Sequence, residues 1–579
     1  MNFLTTVVAL SEAAAEKAPT LAEKIAEVNK AINTFVWTNM GLVLLIGAGI
    51  ILTCVTKFFQ VSHIKQWWMN TIGGLFSRKS KARKNKESGA VSQFQALCTA
   101  LAATIGTGNI AGVASAICMG GPGAVFWMWI AAFFGMMTNF SENILGIYYR
   151  RKNSEGEWSG GAMYYLQDGL GGYKHCKLIG RILACMFSVF AILASFGIGN
   201  MGQINKIVIN IDNVLPAGAD LGTAFGDVKW THIIIGAVLM ILGGLIILGG
   251  LQRIASFAEK VVPFMAIAYV LGCLVIFFAN ISNLGAIFGS IFKFAFSVKA
   301  VGGAVVGIGI KQIIRQGCKR GVFSNEAGLG SSVMVHSASN VREPVKQGMW
   351  GIFEVFADTF VVCTLTAVVV LSSGKIDLQT GSVDKSLLTE KVEIVQTVEE
   401  VGSLDNGYVI ELDNGQAEVH TFTEGAATAT LVSDSFGKIF GPFGSIFVSV
   451  ALTLFAFTTV VGWSHYGSKS FEYLFGTKAA KGYKIFFVIM IISGAVLTSS
   501  LAWDISDTFN GLMMVPNLIG VLAMLPVVIK LTKNYVDRRI KHKDVEPMLS
   551  YDPDIQAEHA KDVKREEQEE TELRQPINS

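Results

Sequence analysis

The chain has 579 residues, of which 51% are hydrophobic and only 16% charged, with a mean hydropathy of +0.48. That balance excludes an ordinary soluble globular protein and points to a chain that crosses a bilayer many times. The net charge of +3 gives no reason to expect nucleic acid as a partner, and its distribution is more informative than its sum.

Residues 1–34 form an N-terminal segment whose start, Met1 to Leu10, lacks a basic n-region, so no cleaved signal peptide is expected. Eleven apolar spans are predicted, at 35–56, 94–117, 122–148, 180–209, 231–250, 260–279, 299–317, 348–373, 441–468, 484–503 and 507–531. Between the first two lies a basic stretch, 57–92, with Arg78, Lys79, Lys81, Arg83, Lys84 and Lys86; its part at 58–76, with Trp67 and Trp68, reads as an amphipathic helix on the inner surface. Basic connections recur after alternate spans: Arg150, Arg151 and Lys152 after the third, Arg253 and Lys260 after the fifth, Lys319 and Arg320 after the seventh. Lys478, Lys481 and Lys484 follow the ninth, and Arg538, Arg539, Lys541 and Lys543 follow the eleventh. The intervening connections are acidic or poor in base, with Asp212, Asp220 and Asp227 in one and a long acidic insert at 375–436. The positive-inside rule then puts the N-terminus outside and the C-terminus in the cytoplasm, which an odd number of crossings satisfies.

The insert alternates V-E-I-V-Q-T-V and Y-V-I-E-L around Asn406-Gly407 and Asn414-Gly415, the pattern of short strands and hairpin turns, and reads as a small external β-rich cap. The stretch 532–579 reads as a charged cytoplasmic tail; from Asp544 onward it is expected to be solvated, disordered or a frayed helix. Eight cysteines, among them Cys54, Cys98, Cys118, Cys185, Cys273 and Cys363, lie mostly in apolar runs without metal-ligand spacing and read as small core residues. No cofactor is implied.

Two spans carry glycine breaks: T-I-G-T-G-N at 104–109 and G-I-G at Gly307, Ile308 and Gly309. Unwound backbone at membrane depth must find partners other than lipid, and a bound ion and a polar solute are such partners. The second span starts from the cytoplasm and the seventh from outside, and each begins five spans, so the halves 93–279 and 285–531 form a 5+5 inverted repeat preceded by one accessory helix, 35–56. N–H groups around Gly106, Thr107, Gly108 and Asn109 begin a half-helix and favour a carboxylate. Carbonyls near Ala103 and Thr104 suit a hard cation. The competing reading is that these glycines only permit close helix packing.

The motifs A-L-A-A-T-I-G-T-G-N-I-A-G-V-A (100–114), G-G-P-G-A-V-F-W-M-W (120–129), F-G-I-G-N-M-G-Q (196–203), R-G-V-F-S-N-E-A-G-L-G-S (320–331) and F-A-F-T-T-V-V-G-W-S-H-Y-G (455–467) together resemble the alanine or glycine:cation symporters. The similarity runs from about 35 to 531. It implies an all-α, leucine-transporter-like membrane fold and sodium-driven import of small neutral amino acids such as alanine or glycine, with sodium as the co-transported ion. The chain departs from the family pattern in the length of the 375–436 insert and in I-G-I near the second break, which bears on side-chain selectivity.

By that resemblance Gln203 is a substrate-contacting amide and Trp463 a pocket wall; Asn200, on the same helical face as Gln203, points either at the cavity or at another helix. Thr104, Thr107, Thr458 and Thr459 are the candidate sodium ligands. Lys311 and Arg315 on the seventh span are expected to pair with Asp358 and Glu354 on the eighth, tying the helices or gating them. The loop Ser324-Asn325-Glu326-Ala327-Gly328 reads as a cytoplasmic inner gate or a capped helix start. A proton in place of sodium, and less readily an ion channel, are the alternatives; neither filter-like repeats nor a phosphate loop or nucleophile motif is visible. Oligomeric state is left open.

Overall fold

A computed structural model of the chain describes residues 21–75, 89–212, 214–215, 221–226, 228–296, 310–381, 383–384, 391–395, 407–411, 417–421, 426–497 and 500–572. Among them eight helices are long and apolar enough to cross a membrane, or nine when the segments Asp504–Ala523 and Leu525–Ile540, bent by 60°, are taken as one span. The chain is therefore a multi-pass helical membrane protein.

Helix α1 (Leu21–Thr34) runs through a π-helical turn into α2 (Gly41–Val55). The next membrane helix is in two halves, α3 (Gln93–Thr104) and α4 (Ala111–Gly120). Ser92 starts α3 with a reciprocal cap: its Oγ accepts from the Gln95 N–H at 3.1 Å while Gln95 Oε1 accepts from the Ser92 N–H at 3.0 Å. Then come α5 (Ala124–Tyr148), α6 (Lys177–Phe196), α7 (Gly202–Asp212), α8 (Trp230–Ile247), α9 (Gly250–Ala279) and the shorter α10 (Leu284–Ala295). A second interrupted helix follows, α11 (Ile310–Asn325) and α12 (Val333–His336). Helix α13 (Pro344–Val355) continues through a π-helical turn, Phe356–Cys363, into α14 (Thr364–Leu371). The last group is α15 (Ala426–Phe440), α16 (Pro442–Phe475), α17 (Thr477–Val496), α18 (Ser500–Ala523), α19 (Leu525–Tyr535) and α20 (Pro553–Glu572).

The 34-residue α16 is an axis of the bundle, packed on α3, α6, α7, α15 and α17, while α5 packs on α2, α11 and α13. Close approach depends on small residues: a Cβ on Gly462 would sit 2.8 Å from that of Ala103, which brings α16 against the end of α3 just before its break.

Several expectations change. The stretch 58–75 is three short helices, not one, because the backbone leaves helical geometry at His63 (φ −124°, ψ 33°) and at Thr71 (φ −111°, ψ −117°); Trp67 turns inward and donates to the Gln60 carbonyl at 3.0 Å while Trp68 stays exposed. Arg253 and Lys260 lie on α9, since α8 and α9 are joined by Leu248 and Gly249 alone. Lys319 and Arg320 lie inside α11, which runs on to Asn325. Of the 375–436 insert, β1 (Lys391–Val395), β2 (Gly407–Glu411) and β3 (Ala417–Thr421) form an antiparallel sheet in the order β1-β3-β2, but its last residues belong to α15, whose Leu431, Val432 and Phe436 are core. Cys54 is exposed, unlike the buried Cys98, Cys118, Cys273 and Cys363.

The described part of the tail, up to Glu572, is docked on the bundle. The Tyr551 N–H donates to the Tyr148 carbonyl at 2.9 Å, Val563 of α20 is fully buried, and ion pairs Arg342–Asp562 (2.6 Å) and Arg538–Glu567 (2.5 Å) hold α20 against the end of the bundle. An amphipathic charged helix reads as solvated in isolation; here complementary charges on the bundle receive it.

Candidate functional site

A cavity of about 860 Å³ opens beside α1 and α18, where Lys30, Asn33 and Asp507 form its mouth, and descends to both interrupted helices. Its floor is formed by Gly106, Thr107, Gln203, Glu326, Thr459 and Trp463.

At the first break α3 ends because Ile105 and Gly106 leave helical geometry, and a 3-10 turn, Thr107–Asn109, leads into α4. Asn109 holds this turn together. Its Oδ1 accepts from the Gly106 N–H at 3.0 Å, while its amide donates to Asp358 Oδ1 at 2.5 Å and to Ser324 Oγ at 2.8 Å. Asn109 thus faces α11 and the π-turn after α13 and does not line the cavity. Among the described residues the N–H groups of Thr107 and Gly108, in the turn that leads into α4, have no backbone acceptor.

Gly106 is required by space: a Cβ there would lie 2.7 Å from Thr459 Oγ1. The Thr459 hydroxyl donates to the Phe455 carbonyl at 3.0 Å, which leaves its lone pairs available beside Gly106, and the buried Thr104 hydroxyl has no hydrogen-bond partner among the described residues. Two hydroxyls and unwound carbonyls are the oxygen donors that a hard cation takes. Thr458 is not brought to this place; its hydroxyl donates to Phe455 O at 3.0 Å and touches Met265 Sδ of α9 at 3.8 Å.

On α7, Gln203 lines the cavity, accepting from Thr107 Oγ1 at 3.2 Å and donating to the Ile198 carbonyl at 3.2 Å. Lys206, one turn on, reaches Thr107 Oγ1 at 3.4 Å. Asn200 is elsewhere: it donates to the Phe487 carbonyl at 2.8 Å and ties the turn Gly197–Met201 to α17. Trp463 stands one turn beyond Thr459 and donates its indole N–H to Glu326 Oε1 at 3.1 Å. Gly199 makes room for it, since a Cβ there would be 2.5 Å from Trp463 Cβ.

The second break in the described residues is at 326–332, between α11 and α12, with Glu326, Gly328 and Gly330 all at positive φ (55°, 92° and 75°). Gly307, Ile308 and Gly309 lie outside the described residues. The segment read as a cytoplasmic inner gate or a capped helix start is buried, with Ser324 and Asn325 ending α11 and Glu326 at the cavity floor; Glu326, missed as a site residue, is its charged member. The signal was present in E-A-G-L-G, a carboxylate beside two closely spaced glycines.

The proposed ion pairs do not form. Glu354 accepts from Asn139 at 3.1 Å and contacts His336 at 2.9 Å, and Asp358 is bonded to Asn109, Ser324 and Thr359. Lys311 is exposed and Arg315 lines the cavity. Asp358 meets Ser324 where Lys311 was expected, an offset of thirteen residues or about 20 Å of helix, and Ser324 lies in the part of α11 that runs past the expected end of the span. The π-turn Phe356–Cys363 further rotates the face that Asp358 presents.

At the opposite end the bundle is closed. Asn517 donates to Glu142 Oε1 at 2.5 Å and accepts from the Tyr165 hydroxyl, and beyond this Glu343 is clamped by Arg538 and Arg539. The cavity wall includes no residue from that end.

Helices of membrane length around a cavity that is open at one end, sealed at the other and floored by two interrupted helices make this a solute transporter. The chain belongs to the sodium:alanine symporter family, whose model matches residues 22–404 and 406–549. It is 39% identical to the sodium/alanine symporter AgcS of Methanococcus maripaludis over 88% of this chain and 96% of that one. Two Bacillus subtilis proteins are also similar: YrbD, named as a sodium/proton-dependent alanine carrier, at 33% identity over 90% of this chain and 94% of its own length, and GlnT, named as a sodium/glutamine symporter, at 32% over 88% and 91%. A crystal structure of MhsT in complex with L-phenylalanine is 13% identical, with a TM-score of 0.43 over 77% of this chain and 99% of that one. The protein is a cation-coupled amino-acid symporter and not an enzyme.

Proposed function

We propose that this protein imports a small neutral amino acid, alanine or glycine, together with sodium across the cell membrane, by alternating access around the first break. The observation that carries the reading is the cavity ending on Gly106, Thr459 and Trp463, with N–H groups that have no backbone acceptor among the described residues on one side of the break and the Thr104 and Thr459 hydroxyl oxygens on the other. The substrate carboxylate takes the N–H groups of Thr107 and Gly108 at the positive end of α4, Gln203 borders it, and Trp463 walls the side chain. Sodium binds between Thr104, Thr459 and the carbonyls at the end of α3. Filling the cation site holds the break in the geometry that presents Thr107 and Gly108, so sodium favours the state that binds the amino acid.

In this reading there are eleven crossings, with α3–α4 and α11–α12 each counting once, and the halves 93–279 and 285–531 form inverted five-helix repeats behind the accessory helix α2. The cavity mouth faces outward. The closed end, rich in base at Arg150, Arg538 and Arg539, faces the cytoplasm. The names of the relatives support an alanine-like substrate.

A proton in place of sodium is favoured by one observation: Glu142, Glu326, Glu354 and Asp358 are all buried near the breaks, and their side-chain partners among the described residues are neutral donors and His336. Labelled alanine uptake into proteoliposomes separates the readings. Accumulation driven by a sodium gradient alone supports sodium coupling, accumulation driven by a proton gradient alone supports the second reading, and equilibration indifferent to both gradients overturns symport in favour of a channel.

A further inference from the structure

The carboxylate end of a zwitterion has its donors at the first break; the ammonium end needs a partner too, and none of the residues considered so far supplies one. We propose that Glu326 is that partner, a specificity-determining residue that selects substrates carrying an α-ammonium group. The inference rests on the transport reading above.

Glu326 is 5% exposed and lines the cavity beside Trp463. Among the described residues its hydrogen-bond partners are neutral: Trp463 Nε1 donates to Oε1 at 3.1 Å and Ser331 Oγ donates to Oε2 at 2.5 Å. A carboxylate has about four acceptor positions, so two neutral bonds leave room for more donors. A buried carboxylate served only by neutral donors is poorly compensated, and a cation brought into the same cavity gains what the protein leaves unpaid. Of the cations on the same helix, Lys319 is turned toward the mouth, where it pairs with Asp507 at 3.3 Å.

The backbone aims this group. Glu326 has φ 55°, a left-handed conformation that a non-glycine side chain adopts at a cost, and the turn is pinned by Asn325 Oδ1 accepting from the Ala327 N–H and by the Leu329 N–H donating to the Glu326 carbonyl, each at 3.0 Å. The turn also places the carbonyl end of α11 against the amide end of α4: a Cβ on Gly108 would be 3.6 Å from the Phe323 carbonyl oxygen. The two breaks thus offer opposite poles across one floor, N–H groups and a positive dipole end at 107–108, carbonyls and a carboxylate at 323–326. An α-amino acid lying between them satisfies both.

The experiment is tracer alanine uptake into proteoliposomes, challenged with unlabelled alanine, with propionate, which lacks only the ammonium, and with ethylamine, which lacks only the carboxylate. In the wild type alanine competes far better than propionate. Glu326→Gln keeps the shape and an acceptor for Trp463 but removes the charge; it raises the KM for alanine about tenfold or more, the worth of one charge-assisted hydrogen bond, and narrows the preference for alanine over propionate. Glu326→Asp restores part of both. Ser331→Ala, which removes a neutral donor outside the cavity wall and keeps the charge, leaves the preference intact, which a merely structural role for the Glu326 bonds would not allow. Propionate competing as well as alanine in the wild type overturns the proposal without any variant, and so does a Glu326→Gln protein with unchanged KM and preference. Absence of alanine uptake in the wild type overturns the transport reading itself, and this inference with it.

Discussion

The residues of the first break divide into those that meet the cavity and those that hold its shape. Asn109 belongs to the second kind, because its amide spans Gly106, Ser324 and Asp358. Asn109→Ala leaves a buried N–H and a buried carboxylate each short of a partner, and is expected to destabilise the fold by about 3 kcal/mol, seen as a lowered melting temperature in detergent along with lost uptake. Gly106→Ala differs in kind. Its Cβ would press on Thr459 Oγ1 at the proposed cation site, so it should abolish sodium-dependent alanine uptake while elution as a monodisperse folded protein is retained. Sequence placed both residues at the break but could not separate them, since adjacency along the chain does not say which way a side chain turns once the helix has unwound. Asn200 and Gln203 illustrate the same limit, three residues apart and bonded to different helices.

Helices were legible as apolar stretches, and their ends much less so. The expected end of the seventh span came at residue 317, just before Lys319 and Arg320, yet α11 continues to Asn325 because Arg315, Lys319 and Arg320 open into a cavity and not into lipid. Helix α20 is the converse case, a polar helix given no packing role by its composition and docked by charges from elsewhere. His559 on its buried face lies near the Trp158 ring, and burial first, then Arg150, Arg342 and Lys152, push its imidazole down to about 3. Undocked, the same imidazole takes a proton near pH 6.5. Docking of α20 is therefore complete above pH 6.5 and weakens as pH falls toward 3, by at most about 1.4 kcal/mol per pH unit. Protection factors of residues 553–572, that is exchange rates corrected for the intrinsic rate at each pH, should fall between pH 7 and 5, and His559→Leu should flatten that dependence; protection factors independent of pH in the wild type would contradict it.

The closed end of the molecule is held by charges that come from distant parts of the chain. Burial alone would raise the Glu343 carboxyl, but Lys346, Arg539 and Arg538 outweigh it and hold it down at about 2. Its contribution to stability is present in full above about pH 4.5 and is lost as pH falls through about 2. Glu343→Gln leaves Arg538 and Arg539 with Glu567 as their remaining shared carboxylate, and a loss of about 3 kcal/mol is expected, measured as a lowered melting temperature at pH 7 whose difference from wild type shrinks at pH 3. By itself the sequence determined the membrane class, the family and the position of the first break, because apolar length and runs of glycine are local properties that lipid and backbone sterics read directly. The partners of Glu354, Asp358 and Glu326, the position of the second break within the described chain, and the docking of the tail came only with the folded bundle. Each depends on the relative register of helices far apart in sequence, and an extension of two turns in one helix is enough to exchange every polar partner it meets.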